Sequence, residues 1–307
     1  MKVLIATVKP FAPAARDAVS DILKQAGHEV VVLESYTSND EFLQAVADAD
    51  AMVVRSDKVT EAVLDAAQNL KIVVRAGAGY DNIDCYQARE KNIVVENTPG
   101  QNSNAVAELA FGMMIMLARN TYDGKPGSEL KGKKLGLHAF GYAAQAVAKV
   151  AQGFSMEVYA FDPFLKDDFI KAHSVTPCHS VEELYALADY ISIHIPATPE
   201  TVKSINAELL GKMKDNATLI NTARKEVIDE EDLGRIFAVK PGFKYAADIA
   251  PDDAVKQELG EKYPTRCFFT PKKMAAQTVE ANFNAACAAG RQIVAFFETG
   301  ERRFQVN

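Results

Sequence analysis

A glycine-containing turn between two apolar runs is the strongest candidate for chemistry in this chain. The segment from residue 136 to residue 148 reads GLHAFGYAAQAVA, and the run EVYAFD after it ends at Asp162. The pattern predicts a strand, a turn, a helix and a second strand that ends in an acid about twenty residues further on. In such a unit, backbone N–H groups at the helix start bind a pyrophosphate, and the acid accepts hydrogen bonds from ribose hydroxyls. The sequence therefore indicates a dinucleotide site, and the lack of a nearby arginine favours NAD over NADP.

The glycine pattern of this turn departs from the usual one. It reads Ala139-x-Gly141-x-x-Ala144, where Ala144 is an accepted variant at the third position. Ala139 fits the first position only if the turn keeps a negative φ there, because a positive φ makes a Cβ costly. On this motif alone, a plain strand–turn–helix unit without a ligand stays open as an alternative.

Strand-like and helix-like patterns alternate along the whole chain. Runs such as Ile72–Val74 are apolar on both faces, as strands covered by helices on two sides must be, and Ala14–Gln25 carries the single apolar stripe of a helix. Because parallel strands need crossover helices, the alternation predicts parallel sheets. The predicted strands are Lys2–Val8, Glu29–Glu34, Ala51–Arg55, Lys71–Arg75, Ile93–Asn97, Leu135–Ala139, Glu157–Asp162, Tyr190–Ile195, Ala217–Asn221, Tyr245–Asp248 and Cys267–Thr270.

One break in the alternation predicts a division into two doubly wound α/β domains. The segment Asp123–Lys134 is rich in glycine, proline and charge, which is typical of a connection. A long helix is expected before it, from Ser103 to about Arg119. The last helix, about Thr278–Phe297, can return to the first domain.

Length and composition narrow the class of protein. The 307 residues are about twice a typical domain, and a net charge of -7 argues against a nucleic-acid or anionic-membrane partner. No run approaches the roughly 18 apolar residues of a membrane span, and the start MKVLIATVKPF lacks the features of a signal peptide. The cysteines have no metal-ligand spacing, which predicts reduced thiols in a cytoplasmic protein without a metal. They are Cys85, Cys178, Cys267 and Cys287.

Five further blocks of sequence lie in a fixed order around the dinucleotide turn. They read VRAGAGYDNID (74–84), NTPGQNSNAVAE (97–108), YISIHIPATPET (190–201), INTARKEVIDE (220–230) and TPKKMAAQTVEA (270–281). With these blocks the chain resembles the D-isomer-specific 2-hydroxyacid dehydrogenases. Within that family it is most similar to short-form D-3-phosphoglycerate dehydrogenases, which lack a C-terminal regulatory domain.

The resemblance implies a domain organisation and a set of partners. Residues 1–98 with 282–307 would form a flavodoxin-like substrate domain, and residues 99–281 a Rossmann domain that binds NAD. The active site would lie in the cleft between them. The substrate would be a small anionic, phosphorylated 2-hydroxy or 2-keto acid, and the enzyme a homodimer.

The resemblance places Arg224 at the position of the family's catalytic arginine. A guanidinium there can hold the carboxylate of the substrate bidentately and polarise the carbonyl that is reduced. The alternative is a surface arginine at a strand end. Lys225 stands where the family usually has glycine, so it could crowd the cofactor or add a positive group.

The family's catalytic histidine is missing, and Lys272 and Lys273 follow Pro271 in its place. A subset of the phosphoglycerate dehydrogenases carries lysine there, and a desolvated lysine can deliver the proton that the forming alkoxide needs. The preceding strand favours Lys272 over Lys273. The alternative is a pair of solvated lysines on a degenerate site. Asp253 occupies the position of the family's acidic partner, although a solvated loop acid is an equal alternative there.

The resemblance also assigns ligand contacts, beginning with Arg55 in the run VVRSDK. A phosphorylated substrate needs cations beyond those that hold its carboxylate, so Arg55 and Arg75 discriminate between substrates. Arg55 could instead be an ordinary strand-end charge, and His194 could be a packed strand histidine. The expected substrate contacts are Arg55, Ser56, Arg75, Ala76, Gly77 and Asn102. The expected cofactor contacts are Gly141, Tyr142, Ala143, Ala144, Asp162, His194, Pro196, Thr198, Thr222, Ala223, Asp248 and Val106.

The expected reaction is therefore the NAD-dependent oxidation of 3-phospho-D-glycerate to 3-phosphohydroxypyruvate, the entry to serine synthesis. A second hypothesis is a dehydrogenase for another 2-hydroxy acid, such as glycerate or erythronate 4-phosphate. A third is an NAD-binding regulatory protein whose catalysis has decayed, which Ala139, Lys225 and the missing histidine favour. Retention of Arg224 and Arg55 opposes the third, because a sensor needs no keto-acid arginine.

Overall fold

The computed structural model describes residues 1–307, which form two compact α/β units. Residues 1–102 with 278–307 make up what we call the terminal unit, and residues 103–277 the central unit. Each unit is built on one parallel sheet, of five strands in the terminal unit and seven in the central unit. The prediction of two parallel-sheet α/β domains is therefore confirmed.

Strands and helices alternate in chain order. The strands are β1 Lys2–Thr7, β2 Glu29–Glu34, β3 Ala51–Val54, β4 Ile72–Arg75, β5 Val94–Asn97, β6 Lys134–His138, β7 Glu157–Phe161, β8 Thr176–Pro177, β9 Tyr190–Ile193, β10 Thr218–Asn221, β11 Lys244–Ala247 and β12 Cys267–Phe269. The α-helices are α1 Pro13–Gln25, α2 Asn39–Val46, α3 Glu61–Ala66, α4 Cys85–Glu90, α5 Ser103–Ala118, α6 Tyr142–Gly153, α7 Asp167–Lys171, α8 Val181–Leu187, α9 Ala207–Lys212, α10 Glu230–Val239, α11 Asp253–Lys262 and α12 Val279–Thr299.

The sheet of the terminal unit has the order β2-β1-β3-β4-β5 and is covered by helices on both faces. Successive residues of a strand point to opposite faces, so Val3 and Ile5 pack with α1 and α12, whereas Leu4 and Ala6 pack on the other face with α2. Burial on both faces explains why the strands read as continuous apolar runs. The last helix, α12, lies in this unit.

The C-terminal segment of the chain pairs with the edge strand β5. Val306 N donates to Val95 O at 2.9 Å, and Val95 N donates to Asn307 Oδ1 at 2.9 Å. Asn307 Nδ2 in turn donates to Ile93 O at 2.8 Å. These bonds satisfy backbone groups that an open sheet edge would leave to water.

The sheet of the central unit has the order β12-β11-β10-β9-β6-β7-β8. The chain leaves β6 toward one edge and later returns on the other side of β6 with β9, which pairs with it directly. Such a switch point opens a crevice at the carboxyl ends of the strands, where doubly wound sheets bind ligands. No helix of the chain is long and apolar enough to cross a membrane.

Candidate active site

The turn between β6 and α6 has the geometry of a dinucleotide-binding loop, with one strained residue. Ala139 has a φ of +80°, so the condition of a negative φ at this position is not met and its Cβ is strained. The end of β7 explains the conformation, because it binds two successive N–H groups of the turn. Ala139 N donates to Phe161 O at 2.8 Å, and Phe140 N donates to Asp162 Oδ2 at 2.9 Å.

The first turn of α6 forms a cradle of suitable shape for a pyrophosphate. Gly141 is the N-cap residue of α6, and both Gly141 and Tyr142 are exposed. The space beside Gly141 is open, because a Cβ added there would meet no atom within 4 Å. The amides of a first helical turn have no partner in the helix and carry its positive dipole end. Ala143 is half-buried, and Ala144 is buried in the core below. Residues 141–143 therefore fit a pyrophosphate contact, whereas Ala144 acts through packing.

Asp162 lies at the end of β7, where a ribose-binding acid belongs. Its Oδ2 accepts from Phe140 N and its Oδ1 from Phe164 N, each at 2.9 Å. A carboxylate oxygen has two lone pairs, so both oxygens keep an acceptor site for a ribose hydroxyl. Asp162 thus both shapes the turn and fits the adenosine side of NAD.

The segment after β9 is held by its own side chains. Thr201 Oγ1 donates to Pro196 O at 2.6 Å and accepts from Thr198 N at 2.7 Å. His194 Nε2 lies 2.9 Å from Ser192 Oγ, and burial lowers the pKa of His194 to about 3. His194 is therefore a neutral hydrogen-bonding group at neutral pH.

Asn221 shapes the loop that carries the predicted catalytic arginine. Its Oδ1 accepts from Ala223 N and its Nδ2 donates to Arg224 O, both at 2.9 Å, which closes a tight turn after β10. Arg224 is half-buried, and its Nη1 donates to Ala223 O at 3.1 Å. Thr222 is buried between them, and its Oγ1 has no hydrogen-bond partner in the chain. An orphaned hydroxyl at the carboxyl end of a strand fits a bound cofactor.

Lys225 ties two neighbouring loops together. Its ammonium forms an ion pair with Asp252 in the loop after β11, and this contact raises the pKa of Lys225. Asp252 N also donates to Glu230 Oε2 at 2.9 Å. The lysine thus joins the arginine loop to the segment that leads into α11.

Asp248 organises the turn that carries the two candidate proton-transfer lysines. It is buried, its Oδ1 accepts from Met274 N at 2.7 Å, and its Oδ2 accepts from Ala275 N at 2.9 Å. Thr270 Oγ1 donates to the same carboxylate at 3.2 Å. This positioning role was not predicted, and the only signal for it was an acid directly after an apolar strand.

Lys272 and Lys273 are both exposed on that turn. Asp253 is also exposed and begins α11, so the carboxylate that binds the lysine turn is Asp248 rather than Asp253. The acid/base roles of the lysines and of Asp253 therefore stay predictions. Val106, another predicted cofactor contact, is buried in α5.

In the terminal unit, Arg55 joins three segments at the carboxyl end of β3. Its Nη1 donates to Lys9 O at 3.0 Å and to Pro10 O at 2.9 Å, and its Nη2 donates to Asn282 Oδ1 at 2.6 Å. Because a guanidinium has five N–H groups, two donors stay available for an anion. Asn282 on α12 and the loop after β1 were not predicted to contact Arg55, since they are distant in sequence.

The buried Asp57 and the half-buried Arg75 fix the backbone around Arg55. Asp57 accepts from Arg55 N at 3.2 Å and from Val8 N at 2.6 Å, which links the loops after β3 and β1. Arg75 Nε donates to Arg55 O at 3.0 Å. Gly77 has a φ of +150°, and a Cβ there would overlap the Arg75 guanidinium, so only glycine fits.

The remaining predicted substrate contacts lie on the same loops or at the end of the unit. Ala76 is buried, and its N–H donates to Val54 O at 2.8 Å. Ser56 is exposed, and Asn102 is half-buried at the boundary of the terminal unit. The structure thus brings Arg55, Arg75 and Gly77 together, because Arg75 donates to Arg55 O and packs against Gly77.

Comparison with known proteins defines the class of protein. A family model for the NAD-binding domain of the D-isomer specific 2-hydroxyacid dehydrogenases matches residues 106–271. A hydroxypyruvate reductase from Thermotoga maritima is 39% identical over 251 residues, which cover 75% of this chain and 80% of that protein. A D-3-phosphoglycerate dehydrogenase from Methanocaldococcus jannaschii is 40% identical over 299 residues, which cover 92% of this chain and 55% of that protein.

A solved structure extends the match to the whole chain. The NAD⁺-bound 3-phosphoglycerate dehydrogenase of Entamoeba histolytica superposes with a TM-score of 0.89 at 42% identity, covering 100% of this chain and 98% of that one. By contrast, the chain spans only 51% to 57% of the length of three prokaryotic D-3-phosphoglycerate dehydrogenases that it matches. The chain belongs to the D-isomer-specific 2-hydroxyacid dehydrogenase family, and it is an NAD-dependent enzyme of that class.

Proposed function

We propose that the protein oxidises 3-phospho-D-glycerate to 3-phosphohydroxypyruvate with NAD, as the first step of serine synthesis. The observation that supports this substrate is the pair Arg55 and Arg75 at the carboxyl ends of the adjacent strands β3 and β4. A simple 2-hydroxy acid carries one negative charge, whereas a phosphorylated one needs further cations. Relatives that are 35% to 42% identical and carry this activity in their names point the same way.

In the proposed mechanism, the candidate site residues bind the substrate and transfer its proton. Arg224 holds the carboxylate and the C2 oxygen of the substrate, and Arg55 and Arg75 hold the phosphate. The neutral amine of Lys272, or of Lys273, takes the proton of the C2 hydroxyl as the C2–H bond breaks. When bound, NAD supplies the acceptor for the hydride that leaves C2. In the reverse direction the ammonium returns the proton to the alkoxide.

The Arg55 side chain is held in one orientation by its hydrogen bonds, which favours binding of a phosphate. Three of its N–H groups are committed to Lys9, Pro10 and Asn282, which fixes the direction of the remaining two. A guanidinium that is already oriented loses less side-chain entropy when the anion binds. Burial lowers the pKa of Arg55 from its usual value, but an arginine stays charged at every physiological pH.

The substitution Arg55→Ala tests the substrate assignment. We expect KM for 3-phospho-D-glycerate to rise roughly 10- to 100-fold, the scale of a lost charge-assisted hydrogen bond, while KM for D-glycerate changes little. Arg89→Ala, which removes an exposed arginine on α4, is the matched control. If KM rises equally for both substrates, Arg55 serves the loop after β1 rather than the phosphate, and the assignment fails.

A second candidate function is the reduction of hydroxypyruvate or glyoxylate. The 39% identical Thermotoga maritima protein carries the name hydroxypyruvate reductase, and a 33% identical protein from Thermofilum pendens is named glyoxylate reductase. Arg224 and the lysine turn would serve that reaction equally well. This candidate predicts that unphosphorylated substrates react faster than 3-phospho-D-glycerate.

A further inference from the structure

A cavity in the terminal unit lies apart from all the residues assigned above. It measures about 180 Å³ and is lined by Glu96, Arg291, Gln292, Glu301, Arg303 and Phe304. Since a liquid water occupies about 30 Å³, the cavity has room for roughly six waters or one small organic molecule. Its walls come from the end of β5, from the exposed side of α12 and from the C-terminal segment.

One buried polar atom in the wall of this cavity lacks a hydrogen-bond partner in the chain, and a buried acid lies beside it. Glu96 is only 2% exposed, and its Oε1 accepts one long hydrogen bond of 3.3 Å from Phe304 N. Gln292 Oε1 is buried without a donor. Buried acceptors without donors are costly, so each such group calls for an explanation.

The charged groups around these acceptors are of both signs. Arg291 and Arg303 form no salt bridge, and Glu301 also forms none. The cavity therefore has two acids and a carbonyl oxygen that can accept from an ammonium group, and two guanidinium groups that can bind a carboxylate. Neither a simple anion nor a simple cation would satisfy both sets.

We propose that this cavity binds a small zwitterion of the α-amino acid type, with its ammonium group toward Glu96, Glu301 and Gln292 Oε1 and its carboxylate toward Arg291 and Arg303. The size of the cavity limits the ligand to a small side chain. The C-terminal segment closes one wall, because Phe304 N is bonded to Glu96 itself.

A chain of hydrogen bonds joins this cavity to the loop that carries Gly77. Gln292 Nε2 donates to Asn97 O at 3.0 Å, and Asn97 Nδ2 donates to Ala78 O at 2.6 Å. Thr98 N also donates to Gly77 O at 2.9 Å. A ligand that binds Gln292 Oε1 fixes this amide, so we expect occupancy of the cavity to change KM for the hydroxy acid.

The ionisation of Glu96 should make the affinity for the zwitterion depend on pH. Burial raises the pKa of Glu96 to about 7, and the neighbouring Glu301 adds to the rise, while Phe304 N opposes it. The charged groups that face it are Glu301, Arg291 and Arg303. Because an ammonium group prefers the carboxylate form, binding of the zwitterion should tighten as the pH rises through about 7.

The test is calorimetric titration of the NAD-loaded protein with glycine, the smallest such zwitterion, at pH values on both sides of 7. We expect saturable binding of one glycine per chain that is tighter at the higher pH. Glu301→Gln and Arg303→Gln change exposed side chains, and each should weaken binding roughly 10- to 100-fold, as loss of a charge-assisted hydrogen bond does. Glu90→Gln, an exposed acid on α4, should leave binding unchanged.

Three results would overturn the proposal. No saturable heat with glycine, equal affinity in Arg303→Gln and the unmodified protein, or equally tight binding of acetate or methylammonium alone would each exclude a zwitterion site. The binding measurement needs no turnover, so it stands or falls separately from the substrate assignment. An unchanged KM for the hydroxy acid at saturating glycine would contradict the coupling to Ala78.

Discussion

Ala139 adopts at the start of the dinucleotide loop a conformation that only glycine adopts without cost. Its φ of +80° places the Cβ against the backbone, a strain of about 1–2 kcal/mol for an L-residue. The bonds from Ala139 N and Phe140 N to the end of β7 hold the residue there. The strain lies in the loop that fits the pyrophosphate, and strained backbone of this kind is concentrated at ligand-binding and active sites.

Ala139→Gly should therefore stabilise the protein. We expect the free energy of unfolding to rise by about 1 kcal/mol, because relief of the strained φ exceeds the entropy that a glycine adds to the unfolded chain. Urea titration measures the change. Ala18→Gly, inside α1 with an ordinary helical φ, is the control and should lower the same free energy by about 1 kcal/mol. A loss of stability in Ala139→Gly would show that the alanine is unstrained.

The two lysines after Pro271 are the residues whose roles differ most from the family pattern. We expect Lys272→Ala to lower kcat roughly 10²- to 10⁴-fold, the scale of general acid–base catalysis, and Lys273→Ala to stay within a few-fold of normal. Steady-state rates with saturating NAD measure both. Lys256→Ala, an exposed lysine on α11, controls for a general loss of charge. Near-normal kcat in both single variants and in the double variant would assign proton transfer to another group.

The positions of site residues at the ends of strands could be predicted better than the contacts that those residues make. The turn motif and the NTAR block were enough to place Asp162 and Arg224 at strand ends. The contact of Arg55 with Asn282 could not be predicted, because 227 positions separate the two residues in the chain. The same holds for Asp248, whose carboxylate binds backbone N–H groups that carry no sequence signature.

Among the elements, the adjacent strands β6 and β9 have histidines at their carboxyl ends: His138 is buried in the last position of β6, and His194 is half-buried directly after β9. Burial lowers the pKa of His138 to about 4 and that of His194 to about 3. His138 Nδ1 lies 3.1 Å from Tyr185 Oη, and His194 N donates to His138 O at 2.9 Å. The His138 ring packs edge-on against Tyr185 of α8, and both rings are neutral at neutral pH.

These histidines should make the fold sensitive to acid. Their folded pKa values lie below the unfolded value of 6.5, so the unfolded chain binds more protons and stability falls as the pH drops from about 6.5 toward 4. One proton corresponds to at most about 1.4 kcal/mol per pH unit. We expect His138→Gln, measured by urea unfolding between those values, to show a slope that is smaller by up to this amount.

The control for the acid effect is His179→Gln, because His179 is exposed before α8. Its unfolding free energy should follow the same pH dependence as the unmodified protein. If His138→Gln also keeps the full slope, the buried ring is not the group that takes up the proton.

Strand positions were predictable because their signal is local. Residues 29–34 were predicted and found as β2 with the same bounds, since the run EVVVLE is continuous and flanked by polar residues. The two-residue strand β8, Thr176–Pro177, was missed because two residues show no period. The positive φ of Ala139 could not be predicted from the local sequence, because it depends on hydrogen bonds to the end of the neighbouring strand β7.

At the scale of the whole molecule, the residues of the proposed mechanism come from both units. The central unit supplies the dinucleotide loop, Arg224 and the lysine turn, and the terminal unit supplies Arg55 and Arg75. The sequence predicted two α/β domains from the alternation of elements. The order of the strands within each sheet could not be predicted from the sequence. That order depends on how the crossover connections pack, and no single apolar segment of the sequence carries this information.

The proposed activity of the whole molecule is the NAD-dependent oxidation of a phosphorylated 2-hydroxy acid. The most direct measurement is the initial rate of NADH formation with 3-phospho-D-glycerate and, separately, with D-glycerate. We predict that kcat/KM for 3-phospho-D-glycerate is at least roughly tenfold higher, as one charge-assisted contact to the phosphate would produce. An equal or higher kcat/KM for D-glycerate, or no NADH from 3-phospho-D-glycerate, would contradict the claim.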